Sequence, residues 1–409
     1  MTTHRCRFCD TPLRVTLADL GETPLANSYL PGPEAIAGER RFPLHVMVCM
    51  SCHLAQVTEA VPADAIFDHD YAYLSSFSSS WVAHAERYAE AMIPRFGLGA
   101  GSQVVEIASN DGYLLQHFVA RRIPVLGVEP AGHAASLAEA RGVPTRVAFF
   151  DGDQGHALRS EGFAADLIAA NNVFAHVPDI RSFAAGFAAL LKPQGVATFE
   201  FPHLLRLIEG AQFDTIYHEH YSYLSLLAVE TVLGAVGLRV FDVEELPTHG
   251  GSLRVFACHE AADHAAGPGR DAVRAAEAAA GLATPAPYKA FAVKVAEVCA
   301  GLTGFLDRAA GEGKTVAAYG AAAKGNTLLN VAGVTSGIDF VVDRNPEKQG
   351  TLLPGSHIPV YDPAMLYRRK PGYVLILPWN LRAEIAADHA AIADWGGQFV
   401  VAVPELTVL

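Results

Sequence analysis

The 409-residue sequence lacks any uncharged apolar run of about 18 residues, so no stretch of it reads as a membrane-spanning helix. Its first residues, MTTHRCRFCD, lack the apolar core of a secretory signal, and a cytoplasmic protein is expected. Positive charge is scarce as well. Lys and Arg number 30 against 43 Asp and Glu, a net charge of −13. Nucleic-acid binding rests on neutralising phosphates with Lys and Arg, so that class of partner is set aside. An anionic ligand must then meet a local basic pocket rather than a basic surface. With 51% hydrophobic and 18% charged residues the chain is globular and not disordered, and its length suits two or three domains.

Cysteine is sparse but patterned. Four of the six form Cys6-x2-Cys9 and, after a gap, Cys49-x2-Cys52, whereas Cys258 and Cys299 stand alone. Paired knuckles of this kind in a reducing compartment read as a four-thiolate structural Zn2+ site, closed because each knuckle supplies two ligands. Disulfides are the rival reading, disfavoured where no secretory signal precedes them. The lone cysteines read as small core residues.

From Ser102 the pattern becomes strand, turn, helix, repeated, which predicts an α/β fold with a doubly wound parallel sheet. Strands are expected at 103–108, 125–128 and 165–170, ending at Asn110-Asp111-Gly112, Glu129-Pro130 and Asn171-Asn172. Gly112 permits close approach of the backbone to a ligand, and Glu129 at a strand end suits a ribose diol. The Gly-x-Gly-x-x-Gly dinucleotide fingerprint is absent here. Spacing alone therefore supports a nucleoside cofactor on an α/β sheet and no more. Before this domain, Tyr71 and Tyr73 lie in a Ser-rich loop, where Ser78, Ser79 or Ser80 is placed to cap the helix that follows.

The densest chemistry lies in Glu200–Leu224, EFPHLLRLIEGAQFDTIYHEHYSYL. Tyr217, His218, Glu219, His220, Tyr221 and Tyr223 fall within seven residues, after a strand closed by Pro202. Imidazoles exchange protons near neutral pH, while phenols and carboxyls hold developing charge or orient a base. Further on, Thr248-His249-Gly-Gly-Ser-Leu-Arg254 is a glycine hinge whose His249 and Arg254 either reach a ligand or serve a plain turn. In the last third, residues 260–312 read as helical connector. A strand at Lys314–Tyr319 then feeds Gly320-Ala-Ala-Ala-Lys324-Gly325 and a helix beginning at Asn326. A helix start with a lysine is suited to an anion. The same turn is a degenerate dinucleotide match, so an NADP-dependent oxidoreductase is a rival reading. Strands near 338–342, 373–377 and 399–403 complete a second α/β sheet.

Taken together, the four-cysteine module, Glu106-Ile-Ala108-Ser-Asn110-Asp111-Gly112-Tyr-Leu-Leu, Gly127-Val-Glu129-Pro130, Asn171-Asn172-Val-Phe-Ala-His176-Val and Tyr217-His-Glu219-His220-Tyr-Ser-Tyr223 resemble one family. It is the S-adenosylmethionine-dependent sugar C-methyltransferases acting on nucleotide-linked 4-keto-6-deoxy sugars. The resemblance spans the chain and implies a zinc-binding domain at 1–68. It implies a class I, Rossmann-like methyltransferase domain at 69–255 and a second Rossmann-like, sugar-binding domain at 256–409. It further implies cofactor contacts from Glu106, Ala108, Asn110, Asp111, Gly112, Glu129, Pro130, Asn171 and Asn172. Catalytic roles fall on His220 as base, oriented by Glu219, with Tyr217 and His176 at the ketone oxygen and Tyr71 nearby. Tyr73, Ser79, His249, Arg254, Gly320, Lys324 and Asn326 are expected at the substrate, with Lys324 on the diphosphate. His218 and Tyr223 are expected to be structural. The expected partners are S-adenosylmethionine, Zn2+ and a nucleotide sugar, with no nucleic acid, no membrane, and a monomeric state. Methyl transfer to oxygen or nitrogen competes with the carbon reading, as does a scaffold whose methyltransferase domain is inert.

Overall fold

The computed structural model describes residues 4–59, 61–62 and 74–409. Three sheets organise it. The N-terminal sheet runs β1 (Val15–Thr23), β2 (Phe42–Val48), β3 (Ala55–Val57), all antiparallel. In β2 the alternating Leu44, Val46 and Val48 are buried, as a one-faced strand requires. The fourth strand of this sheet, β9 (Ser222–Tyr223), comes from the histidine-rich stretch and pairs with β3.

The central sheet contains β4 (Val104–Ile107), β5 (Val125–Val128), β6 (Thr145–Arg146), β7 (Ala165–Asn171), β8 (Leu191–Pro202), β10 (Leu238–Leu246) and β11 (Ser252–His259). Their spatial order is β10-β11-β8-β7-β4-β5-β6, parallel except for the reversed β11 wedged between β8 and β10. Every residue of β4 and β5 is buried, as in a parallel sheet covered on both faces. The order reverses between β4 and β7, which opens a crevice at the strand ends where Asn110, Glu129 and Asn171 lie.

The C-terminal sheet comprises β12 (Val316–Tyr319), β13 (Val341–Val342), β14 (Val360–Tyr361), β15 (Tyr373–Ile376), β16 (Gln398–Val401) and β17 (Thr407–Val408). Its order, β14-β13-β12-β15-β16-β17, is that of dinucleotide-binding sheets, and its crevice opens between β12 and β15. The expected α/β architecture with two doubly wound sheets is thus what the chain forms. The connector is two helices, Pro268–Ala279 and Ala286–Gly311.

The apolar cores cross these sheets. One cluster joins Leu17, Val46 and Val57 of the N-terminal sheet to Phe291 and Leu302 of the long helix and to the C-terminal sheet. A second joins Cys6, Cys49 and Cys52 to Phe174, Phe199 and Leu224 of the central domain. The Glu200–Leu224 stretch lies where all three parts meet.

Candidate active site

The four N-terminal thiols lie within 4.8 Å of one another, with Cys6–Cys52 and Cys9–Cys49 sulfurs 3.5 Å apart. A tetrahedral zinc with bonds of about 2.3 Å sets its sulfurs about 3.8 Å apart, so the cluster fits that ion. No disulfide joins them. The knuckle also grips the histidine-rich stretch. Arg7 donates to the Pro178 carbonyl at 2.7 Å, to the Tyr221 carbonyl, and to Ser222 Oγ at 3.1 Å.

At the central crevice, Ala108 and Asn110 adopt left-handed backbone angles (φ 57° and 49°), a strained turn of the sort kept at ligand sites. Glu129 accepts the amides of Asn110 and Ala131, each at 2.9 Å, so its carboxylate is fixed at the strand end while lone pairs stay available for hydroxyls. Asn171 is buried, and both polar atoms of its side chain have no partner among the described residues. Glu106 is fully buried and pushed well above the usual carboxylate range by desolvation. Asn171, buried and left to a ligand at a sheet switch point, fits S-adenosylmethionine. Two neighbours also support the turn itself. Asp111 is tied to Arg141 at 2.8 Å and to Ser76, which makes it a support of the turn. A Cβ on Gly112 would meet Ala138 and Val143 at 3.2 Å, so helix packing also requires a glycine here.

The histidines converge where this crevice faces the C-terminal domain. The His220 ring lies 4.1 Å from the Tyr217 ring and 4.7 Å from that of His176. Its Nδ1 is 2.7 Å from the Thr215 carbonyl and donates to it, which leaves the Nε2 lone pair for a proton. Burial, then the neighbouring His176, holds His220 well below its ordinary value, so the ring is neutral. Burial likewise lowers His176 to about 4, against a hydrogen bond with the Glu219 main chain. The carbonyl of Thr215, not the Glu219 carboxylate, therefore orients the base, because a backbone turn puts it beside Nδ1. Glu219 instead accepts from Asn27 of the N-terminal module. His249, with φ 54°, lies 3.2 Å from Asn172 Nδ2 and against the Trp81 ring, and burial and the charge of Lys324 lower it to about 4.

From the C-terminal crevice comes Lys324, over the Trp379 ring at 5.0 Å and 3.4 Å from Asn380 Oδ1. Its charge is felt by His220 and His249. Below it Asp214, fully buried and raised to about 6 by desolvation, accepts from Trp379 Nε1 at 2.7 Å.

Several expected residues do not join this group. Arg254 is spent on Glu200 at 2.9 Å and Glu244 at 3.1 Å, because β11 sits beside β8 inside the sheet. Glu200 also binds His84, and His203 pairs with Glu277 at 2.8 Å, so neither extends the site. Asn326 donates to the Ala26 carbonyl at 2.6 Å and ties the modules together. Gly320 gives room to Pro378, whose Cδ would lie 2.5 Å from a Cβ. Ser79 is exposed on the first turn of helix Ser79–Arg95, which Ser78 caps. His218 contacts the Phe42 and Pro43 carbonyls at 3.3 Å, and Tyr223 is buried in β9. Tyr71 and Tyr73 fall outside the described residues. Sequence reasoning missed Thr215, Asp214, Trp379 and Asn27; Asp214 alone carried a signal, as an acid inside the histidine-rich stretch.

A switch-point crevice with a carboxylate fixed at a strand end is the arrangement of a nucleoside-cofactor enzyme, and the class is an S-adenosylmethionine-dependent methyltransferase. Residues 6–67 match a family described as "Putative zinc binding domain", 81–243 a methyltransferase domain, and 247–404 a C-methyltransferase C-terminal domain. C-methyltransferase NovU from Streptomyces niveus is 38% identical over 405 residues, which cover 99% of this chain and 96% of that protein. The chain belongs to this C-methyltransferase family, so carbon, not oxygen or nitrogen, receives the methyl group. Among solved structures, a SAM-dependent methyltransferase from Anabaena variabilis is 17% identical over 49% of this chain and 96% of its own, with a TM-score of 0.37. Magnesium protoporphyrin IX methyltransferase from Synechocystis is 13% identical over 49% and 99%, with a TM-score of 0.36. Scores this low add nothing to what the sheet order gives. No helix among the described residues is long and apolar enough to cross a membrane.

Proposed function

We propose that the enzyme methylates a carbon next to the ketone of a nucleotide-linked 4-keto-6-deoxy sugar, with the sugar held between the central and C-terminal crevices. The observation that carries this reading is His220: a neutral imidazole with Nδ1–H fixed on Thr215 and Nε2 free, flanked by Tyr217 and His176. A proton alpha to a carbonyl is weakly acidic, so removing it needs both a base and a group that holds the enolate oxygen. His220 Nε2 takes the proton. Tyr217 and His176 meet the ketone oxygen. Lys324 takes the diphosphate. A pyranose separates its anomeric carbon from the reacting carbon by only a couple of bonds, so that cation must lie close to the histidines, as it does. Glu129, Asn110 and Asn171 would hold S-adenosylmethionine, which would supply the methyl group to the enolate carbon as its S–CH3 bond breaks and the neutral thioether leaves. The two histidines are half-buried, and a bound sugar would complete the exclusion of water that could otherwise return the proton.

The NADP reading has less support. Ala321 N, in the turn after β12, is bound by the Asp343 carboxylate at 2.7 Å, and an acid at the end of the neighbouring strand β13 disfavours the 2′-phosphate of NADP. The test is solvent exchange: in D2O the enzyme should wash deuterium into the carbon alpha to the ketone. Methylation without any such exchange or a deuterium isotope effect would reject base-first chemistry.

A further inference from the structure

Asn27 belongs to the N-terminal module, yet its side chain reaches Glu219, 192 residues away in the chain. The chain is anchored on both sides of it. The Ala26 carbonyl accepts from Asn326 at 2.6 Å, and the Tyr29 hydroxyl donates to the Ala321 carbonyl at 2.5 Å. Lys348 donates to the same carbonyl at 2.8 Å and lies 5.2 Å from the centre of the Tyr29 ring. Asn27 is thus presented from a strap fastened to the C-terminal helix Ala323–Val331 and its leading turn. Glu219 is buried, and Asn27 is its side-chain hydrogen-bond donor among the described residues.

We infer that Asn27 is a positioning residue of the active site, holding the Glu219 carboxylate ionised and aimed so that it accepts a hydroxyl of the substrate. The inference rests on the reading above in placing Glu219 at the sugar. The chemistry is direct. A buried carboxylate tends toward its neutral acid, and desolvation raises Glu219 accordingly. An amide N–H bonded to the charged form opposes that tendency, as does the more distant charge of Lys348. His176 does not compete for the carboxylate, since its ring bonds the Glu219 main chain instead. Without the Asn27 amide, Glu219 protonates at higher pH, becomes a donor where an acceptor is needed, and is free to turn. A residue of the cysteine module thereby sets the state of a group in the catalytic stretch.

The test uses the full zinc-loaded chain in two arms. In the first, 13C-labelled glutamate side chains are titrated by NMR, with the Glu219 signal assigned through Glu219→Gln. Asn27→Ala, and Asn27→Asp as the isosteric variant should alanine fail to fold, should move the midpoint up by about 1–2 on the pH scale, the worth of one hydrogen bond to a charged group. In the second, the acid limb of kcat/KM for the nucleotide sugar should move up by the same amount, with a roughly ten- to hundredfold loss on the acid side of the wild-type midpoint that shrinks as the pH rises. An unmoved midpoint in folded, zinc-retaining variants overturns the inference, and so does a moved midpoint with an unchanged pH profile. A moved midpoint in a protein whose wild type ignores nucleotide-linked ketosugars upholds the hold on the carboxylate and sinks the proposed substrate instead.

Discussion

Replacing His220 by Asn isolates the base from its scaffold. The Asn amide can still donate to the Thr215 carbonyl, the bond that His220 makes at 2.7 Å, so the turn keeps its anchor. What is lost is the Nε2 lone pair and the ring contacts with Tyr217 and His176. Such aromatic contacts are worth about 0.5–1.5 kcal/mol each, so the fold should lose about 1–3 kcal/mol and survive. The chemistry should lose more. A positioned base contributes about 10²–10⁴-fold, or roughly 3–5 kcal/mol of barrier. Deuterium exchange, followed by NMR, and methyl transfer, followed in parallel, should fall together by that factor. The wild-type pH profile adds a second check. His220 is depressed below its ordinary value of about 6.5, so protonation should extinguish activity only on the acid side of that value. The same sign governs stability: the unfolded histidine binds a proton near 6.5 that the folded one refuses, so stability falls as pH drops from there. Exchange at the wild-type rate in His220→Asn, with only methylation lost, would refute the assignment and turn attention to His176.

Glu129→Ala should weaken S-adenosylmethionine binding by roughly 1.5–3 kcal/mol in calorimetry if the acid meets the ribose as proposed, since it also holds the Asn110 and Ala131 amides; unchanged affinity would remove it from the site. Lys324→Met should raise KM for the nucleotide sugar roughly tenfold or more while kcat falls less, and equal loss of kcat and kcat/KM would move the lysine from the diphosphate to the enolate. Metal analysis should find about one zinc per chain, and chelation should lower the melting temperature along with activity because β3 and Arg7 hold the histidine-rich stretch; a metal-free protein of full stability would end the structural assignment.

Much of this architecture is written locally. Val104–Ile107, apolar but for Glu106, and Val125–Val128 are short runs before turn residues, and the cysteine spacing declares its own ligand set. The parts that escaped are those in which a side chain's partner is remote or has no side-chain signature. Thr215 acts through a carbonyl that every residue possesses. Asn27 stands in an unremarkable Ala-Asn-Ser stretch, and only packing of the module on the C-terminal helix brings it to Glu219. Arg254 failed in the opposite sense. A cation after a glycine hinge suits a phosphate, but register with β8 puts Glu200 directly across from it and neutralises it inside the sheet.

The core that runs from β1–β3 through the long helix into the C-terminal sheet sets a constraint on the order of synthesis. The strands made first present an apolar face whose cover is made last. While the chain is still growing, that face has no permanent occupant, and its nascent edge is open to any other chain. Zinc, bound by residues already translated, is the means by which the early module can hold its shape during the wait. Truncation from the carboxyl end should therefore yield insoluble protein rather than a free-standing methyltransferase domain.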